Sequence, residues 1–156
     1  MWGSRRAHLY ILVTFAVLLA GCGGSSYTKS DFVARADGIC TNTLRQTRAL
    51  APPAASSGVA LSAYLGKLVP LVESEANQLR ALKRPADSAR DRDTLTAYFA
   101  ALDQVVGAYR RLEAAATRGD DQTMADVEAA LNANPVASLA TSYGLKTCGT
   151  PESTSV

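Results

Sequence analysis

The sequence predicts an all-α fold, an up-and-down four-helix bundle set behind a short apolar leader. Three observations point there. Apolar residues recur at intervals of three and four through four successive segments. Pro and Gly fall between these segments and only rarely inside them. No stretch alternates apolar and polar residues in the manner of a half-buried strand.

The first helix is expected from about Ser30 to Leu50, with Thr28 or Ser30 as cap and Asp31 in the first turn, where a negative charge suits the helix dipole. Phe32, Ala36, Ile39, Thr43, Thr47 and Leu50 form its stripe, and Pro52-Pro53 ends it. The second helix spans about Ser57 to Lys83. Leu61, Leu65, Leu68, Val72, Leu79 and Leu82 keep the spacing, with one gap at Glu75. Pro70 sits inside this run and should kink it, because proline deletes a backbone hydrogen bond. Arg84-Pro85-Ala86-Asp87 makes the next turn.

The third helix, about Asp87 to Arg118, carries the clearest seam: Leu95, Tyr98, Leu102, Val105, Tyr109, Leu112 and Ala116. Gly119 stops it, and Asp120-Asp121 caps the fourth stretch. Met124, Val127 and Leu131 line that stretch. Asn134-Pro135 restarts or kinks it, with Asn as cap and Pro at the first position. Leu139, Ala140 and Tyr143 continue the face until Gly144 ends it and Leu145 folds back. Four segments, each polar on its outer side, enclose one core when joined by short turns. The bundle is expected over 30–149, with a disordered tail over 150–156.

The leader is a separate matter. Arg5, Arg6 and His8 precede an apolar run from Leu9 to Leu19 that only Thr14 interrupts, and Ala20 and Gly21 come next. A charged start, a greasy middle and small residues read as a secretory signal peptide over 1–21. The run is shorter than the ~20 residues that a membrane span needs. Leu19-Ala20-Gly21-Cys22 resembles the bacterial lipobox. That resemblance implies a diacylglycerol on the Cys22 thiol, palmitate-type acyl chains, and cleavage before Cys22. Residues 22–29 then form a lipidated tether, and the protein is held at the extracytoplasmic face of the cell membrane. Ser4-Arg5-Arg6-Ala7-His8-Leu9 also resembles a twin-arginine export motif, with His8 where that motif prefers Phe; two ordinary leader arginines are the favoured reading.

Composition narrows the chemistry. Removing 21 leader residues from 156 leaves 135, enough for one domain with a real core. Removing Arg5 and Arg6 takes the 16 basic residues to 14, which balance the 14 acidic ones. A nucleic-acid surface needs a basic excess, so no nucleic-acid partner is expected. His8 is the one histidine, and it leaves with the leader. Without imidazole, Ser-His-Asp and Cys-His catalysis are excluded, along with the commonest zinc and haem ligand. No phosphate loop, dinucleotide fingerprint or nucleophile elbow is present, so neither cofactor nor metal is expected. Of three cysteines, Cys22 takes lipid. Cys40 and Cys148 remain, and an even remainder in an oxidising compartment reads as a disulfide.

Ala36-Asp37-Gly38-Ile39-Cys40 and Tyr143-Gly144-Leu145-Lys146-Thr147-Cys148-Gly149 together resemble small actinobacterial lipoproteins of helical-bundle type. The high alanine content and the 12 Arg against 4 Lys agree with a GC-rich genome. The resemblance supports the fold and the disulfide and implies no activity.

Three features compete for a functional role. Glu75, in the gap of the second stripe, is a candidate for ligand binding or proton transfer with a raised pKa. The plainer reading is a stripe-edge carboxylate that reaches solvent or pairs with Arg80 or a core tyrosine. Tyr64, Tyr98, Tyr109 and Tyr143 either line a pocket for an apolar molecule or fill the core with their hydroxyls partnered. Arg118-Gly119-Asp120 spells an adhesion tripeptide, which a helix stop and the next cap explain in full.

These readings favour a non-enzymatic, membrane-anchored binding or scaffold module at the cell envelope. Its partners would be membrane lipid through the anchor and an envelope protein. The alternative is a carrier or sensor of a small apolar ligand, held in the bundle core where Pro70 splays the second helix. A hollow core is the mark of the second reading.

Overall fold

The computed structural model describes residues 26–53, 58–148 and 150. Cys22, the leader, most of the tether and the tail beyond Thr150 lie outside the described residues. Five helices run in order: α1 (Lys29–Arg48), α2 (Gly58–Ala81), α3 (Ala89–Arg118), α4 (Asp121–Asn132) and α5 (Val136–Tyr143). The last two are the halves of the fourth arm, so the all-α, up-and-down bundle stands. None of the described helices is long and apolar enough to cross a membrane.

Local chemistry sets each boundary. Thr28 caps α1 in a reciprocal box: the Asp31 N–H donates to Thr28 Oγ1 at 3.2 Å, and the Thr28 N–H donates to Asp31 Oδ2 at 2.9 Å. Those hydrogen bonds from Thr28 hold the Asp31 carboxyl below its ordinary pKa. Ser88 caps α3 by accepting the Asp91 N–H. Gly119 ends α3 at φ 66°, a left-handed turn that glycine enters without a Cβ clash. Asp120 then caps α4 by accepting the Thr123 N–H at 3.1 Å. The tripeptide Arg118-Gly119-Asp120 is thus a helix stop and a helix start, and Arg118 and Asp120 also pair with each other at 3.8 Å.

The fourth arm breaks where Asn134-Pro135 predicts. Asn134 Oδ1 accepts the Val136 N–H at 2.9 Å, while Asn134 Nδ2 donates to the Ala101 carbonyl at 3.3 Å. The break is therefore pinned to α3. Pro135, expected at the first helical position, stands one residue earlier, as the cap of α5. Gly144 closes α5 at φ 104°, and the N–H of Leu145 returns to the Ala140 carbonyl. Leu145 folds back and is fully buried. α2 runs unbroken from Gly58 to Ala81 through Pro70, whose ring faces solvent. Both α1 and α2 stop two residues short of their expected ends.

α3 is the axis of the bundle. At 1.5 Å per residue its 30 residues extend about 45 Å. α2 packs along one side of it, and α4 and α5 along another. Burial extends beyond the seam read from spacing: Phe99, Ala101, Val106, Ala108 and Ala115 are covered as well. The antiparallel register of α2 and α3 shows in two ion pairs, Glu73 with Arg110 and, seven residues along each helix, Arg80 with Asp103. At one end Gly58 lies against the last turn of α3, where an added Cβ would stand 3.0 Å from the Ala116 carbonyl oxygen. At the other end Lys29 of α1 meets Asp91 of α3 at 2.6 Å. The start of α1 and the α2–α3 turn therefore share an end.

α1 is held on its second flank by the chain beyond α5. Cys40 and Cys148 form a disulfide with Cα atoms 5.2 Å apart. Beside it Asp37 accepts the Lys146 N–H at 2.9 Å and the Thr147 N–H at 2.8 Å. Phe32 meets the Tyr143 ring edge to face at 5.7 Å between centroids. The two sequence stretches that carried the resemblance, 36–40 and 143–148, thus form one clasp.

Closing a loop with a sequence separation of 108 is worth about 4 kcal/mol in the chain-entropy model. Cys40→Ser with Cys148→Ser should lower unfolding stability by an amount of that order in urea titration. Mass spectrometry of the wild-type protein under non-reducing conditions should find no free thiol at either position; two free thiols would refute the pairing.

Candidate functional site

Glu75 is the acidic side chain that lines a cavity inside the bundle. It sits on α2 between Val72 and Leu79, in the gap of the apolar row. The gap is real in space: Glu75 lines a small cavity with Thr43 and Thr47 of α1, Tyr98, Leu102 and Val105 of α3, Val136 of α5 and Cys148 of the clasp. Its volume is about 30 Å³. A single water needs roughly 10–15 Å³ measured this way, so the space suits a water or two and not an apolar ligand.

The wall around Glu75 is mixed. Thr43 is buried, and its hydroxyl donates to the Ile39 carbonyl at 3.3 Å. Burial raises the Glu75 carboxyl above its ordinary 4.5, and a hydrogen bond with the Thr43 side chain offsets part of that rise. Tyr98 is raised as well, first by burial and then by the nearby negative charge of Glu75. The carboxylate keeps a partly exposed edge. Arg80, the cation considered as its partner, pairs instead with Asp103. Glu75 therefore matches the plainer reading in part: a stripe-edge acid beside a core tyrosine.

The other tyrosines divide. Tyr109 is buried and its hydroxyl is pushed up to about 12, mainly by burial. Tyr143 is buried and donates its hydroxyl proton to Asp87 Oδ2. Tyr64 is half-buried on the outer flank of α2. It borders an open groove of about 520 Å³ lined by Ala49, Leu50, Pro53, Ala60 and Lys67, at the α1–α2 connection. Tyr64 lies near enough to Tyr109 to raise its hydroxyl further, while Tyr98 and Tyr143 stand elsewhere, beside Glu75 and Asp87.

A further cluster escaped the reading of spacing. At the end where α1 begins, Arg35 and Lys83 lie over the Tyr27 ring at 5.5 and 5.8 Å, and Arg84 lies over Phe99 at 4.0 Å. Lys83 and Arg84 stand at the α2–α3 turn, and the rings beneath them carry no signal in the spacing, since Tyr27 belongs to the tether by sequence. Lys29 spans both themes, paired with Asp91 and 4.6 Å above the Tyr143 ring. Among the described residues, no three His, Cys, Asp or Glu side chains gather as a metal site.

The raised carboxyl makes a signed pH prediction. Unfolded, Glu75 gives up its proton near 4.5; folded, it keeps the proton to higher pH. Folding takes up a proton in that window, so this group's contribution falls as pH climbs from the ordinary value through the raised one. Glu75→Gln removes the ionisation and keeps the shape. The variant should melt a few degrees higher than the parent at neutral pH. The two should converge below about pH 4, where the parent is protonated in both states. Melting curves that stay parallel across a pH series would refute the assignment.

Neither a protein-family model, nor a curated protein, nor a solved structure matches this chain, so its residues are the whole basis for a functional reading.

Proposed function

We propose that this chain is a bacterial lipoprotein, anchored through Cys22 at the extracytoplasmic face of the cell membrane, and that its helical bundle is a non-enzymatic binding or scaffold module. The observation that carries the reading is the filled core. The interior cavity of about 30 Å³ leaves the outer faces as the surface on which this protein meets others. A carrier of apolar molecules would enclose several hundred Å³, so the small cavity at Glu75 supports the first reading over the second. The disulfide agrees with export, because such bonds persist in oxidising compartments. Two or three acyl chains on Cys22 hold a protein far more firmly than one.

Two measurements test this. Cys22→Ala should move most of the protein out of the mature membrane-bound pool, either as uncleaved precursor or into the medium; a variant that stays mature and membrane-bound refutes the anchor. Crosslinking in intact cells, with mass spectrometry of the products, should recover the same envelope partner in repeated experiments. Recovery of no reproducible partner would overturn the scaffold role while leaving the anchor untouched.

A further inference from the structure

The end of the bundle where α1 begins uses its charges unevenly. Six cations gather there: Lys29 and Arg35 on α1, Lys83 and Arg84 in the α2–α3 turn, Arg90 and Arg92 at the start of α3. Four acids share the end: Asp31, Asp87, Asp91 and Asp93. The formal excess is small, and among the described residues Asp91 is the one of these acids in an ion pair, while Asp31 and Asp87 take hydrogen bonds from neutral donors. Asp31 closes the α1 cap. Asp87 accepts the Tyr143 hydroxyl. Asp91 accepts Lys29 at 2.6 Å and the Ser88 hydroxyl at 3.0 Å. Of the cations, Lys29 is spent on Asp91, and Arg92 donates to the Asp87 carbonyl at 2.6 Å. Among the described residues, no ion pair engages Arg35, Lys83, Arg84 or Arg90.

Three of those four lie over aromatic faces. Tyr27 supports Arg35 and Lys83, and Phe99 supports Arg84. A ring under the apolar stem of a long cation steadies it without consuming its N–H donors. Exposed cations held above aromatic rings, at an end with six cations against four acids, form a surface suited to phosphate-bearing headgroups. The opposite end carries both signs, with Arg45 and Arg48 in the last turn of α1 and Arg118 beside Asp120 and Asp121 at the α3–α4 turn.

We propose that this end of the bundle docks on an anionic phospholipid bilayer through Arg35, Lys83, Arg84 and Arg90. Position favours a bilayer over other polyanions, and this clause rests on the anchor proposed above. The seven residues from Cys22 to Lys29 reach at most about 25 Å, so the tether delivers this end to the lipid surface. The docking adds an orientation to the anchor: the bundle stands on the end where α1 begins and presents the α3–α4 turn outward.

The test uses a chain that begins at Gly23, without leader or lipid. Every residue of the buried core lies between Phe32 and Cys148, so this chain contains all that the fold buries. Because it carries no lipid, its result is independent of whether Cys22 is an anchor. It should co-sediment with phosphatidylglycerol vesicles at low salt and not with phosphatidylcholine vesicles, and added salt should release it. Lys83→Gln with Arg84→Gln removes both charges and keeps polar side chains of intermediate length, and should lower partitioning roughly tenfold. Lys67→Gln, on the outer flank of α2 beside the α1–α2 connection, should leave binding unchanged. Thermal melting of each variant verifies its fold. Absence of binding to phosphatidylglycerol, equal binding to phosphatidylcholine, or an undiminished double variant would overturn the proposal. Equal affinity for soluble polyphosphate would also overturn it, by assigning the surface to polyanions in general.

Discussion

The clasp between the middle of α1 and the chain after α5 is the constraint on which this bundle depends. α1 packs against α2 along one flank only. Its other flank carries Phe32, Ala36 and Cys40, all buried, and the cover there comes from Tyr143, Leu145 and Cys148. The disulfide fixes one point of that cover, Asp37 fixes two backbone N–H groups beside it, and the Phe32–Tyr143 contact fixes a third level. A short strap of irregular chain thereby does what a long helix would do elsewhere in a bundle. Backbone groups in such a strap need partners, because unpaired buried N–H groups are costly. The Asp37 carboxylate supplies them.

The same arrangement explains why the core is full. α3 is covered on several sides, and its alanines at 101, 108 and 115 let neighbouring backbones approach closely. At Glu75 the packing leaves a little room, and there the wall is polar enough to suit water. A carboxylate in such a place trades stability for a polar interior, since burial disfavours its ionised form.

Much of the architecture was legible in the sequence, and the exceptions have physical causes. Helical periodicity reports which face is buried, so the α3 seam at Leu95, Tyr98, Leu102 and Tyr109 stood out. It reports poorly on a helix buried on several sides, which is why the seam left out Phe99 and Val106. Gly119, Gly144, Asp120 and Asn134 announced their turns because cap chemistry is local. Cys40 and Cys148 were paired by counting. Asp37 was invisible as a latch: its partners lie 109 and 110 residues away, and they are backbone groups that no side-chain pattern records. Glu75 was legible as a gap in a row, while the size of its cavity was not, because volume depends on how several helices approach. Tyr27 was hidden by its place beside the tether.

The clasp also sets what this chain has to keep as its sequence drifts. Lys146 and Thr147 are held through their main chain, so substitution of either side chain leaves the hydrogen bonds to Asp37 in place. The same freedom holds for much of the exposed surface. What cannot vary freely is short: the carboxylate at 37, the two sulfurs, the glycine at 144 with its left-handed turn, and the buried rings at 32 and 143. A shape defined by so few side chains tolerates wide change elsewhere, and two chains sharing it need have little else in common letter by letter.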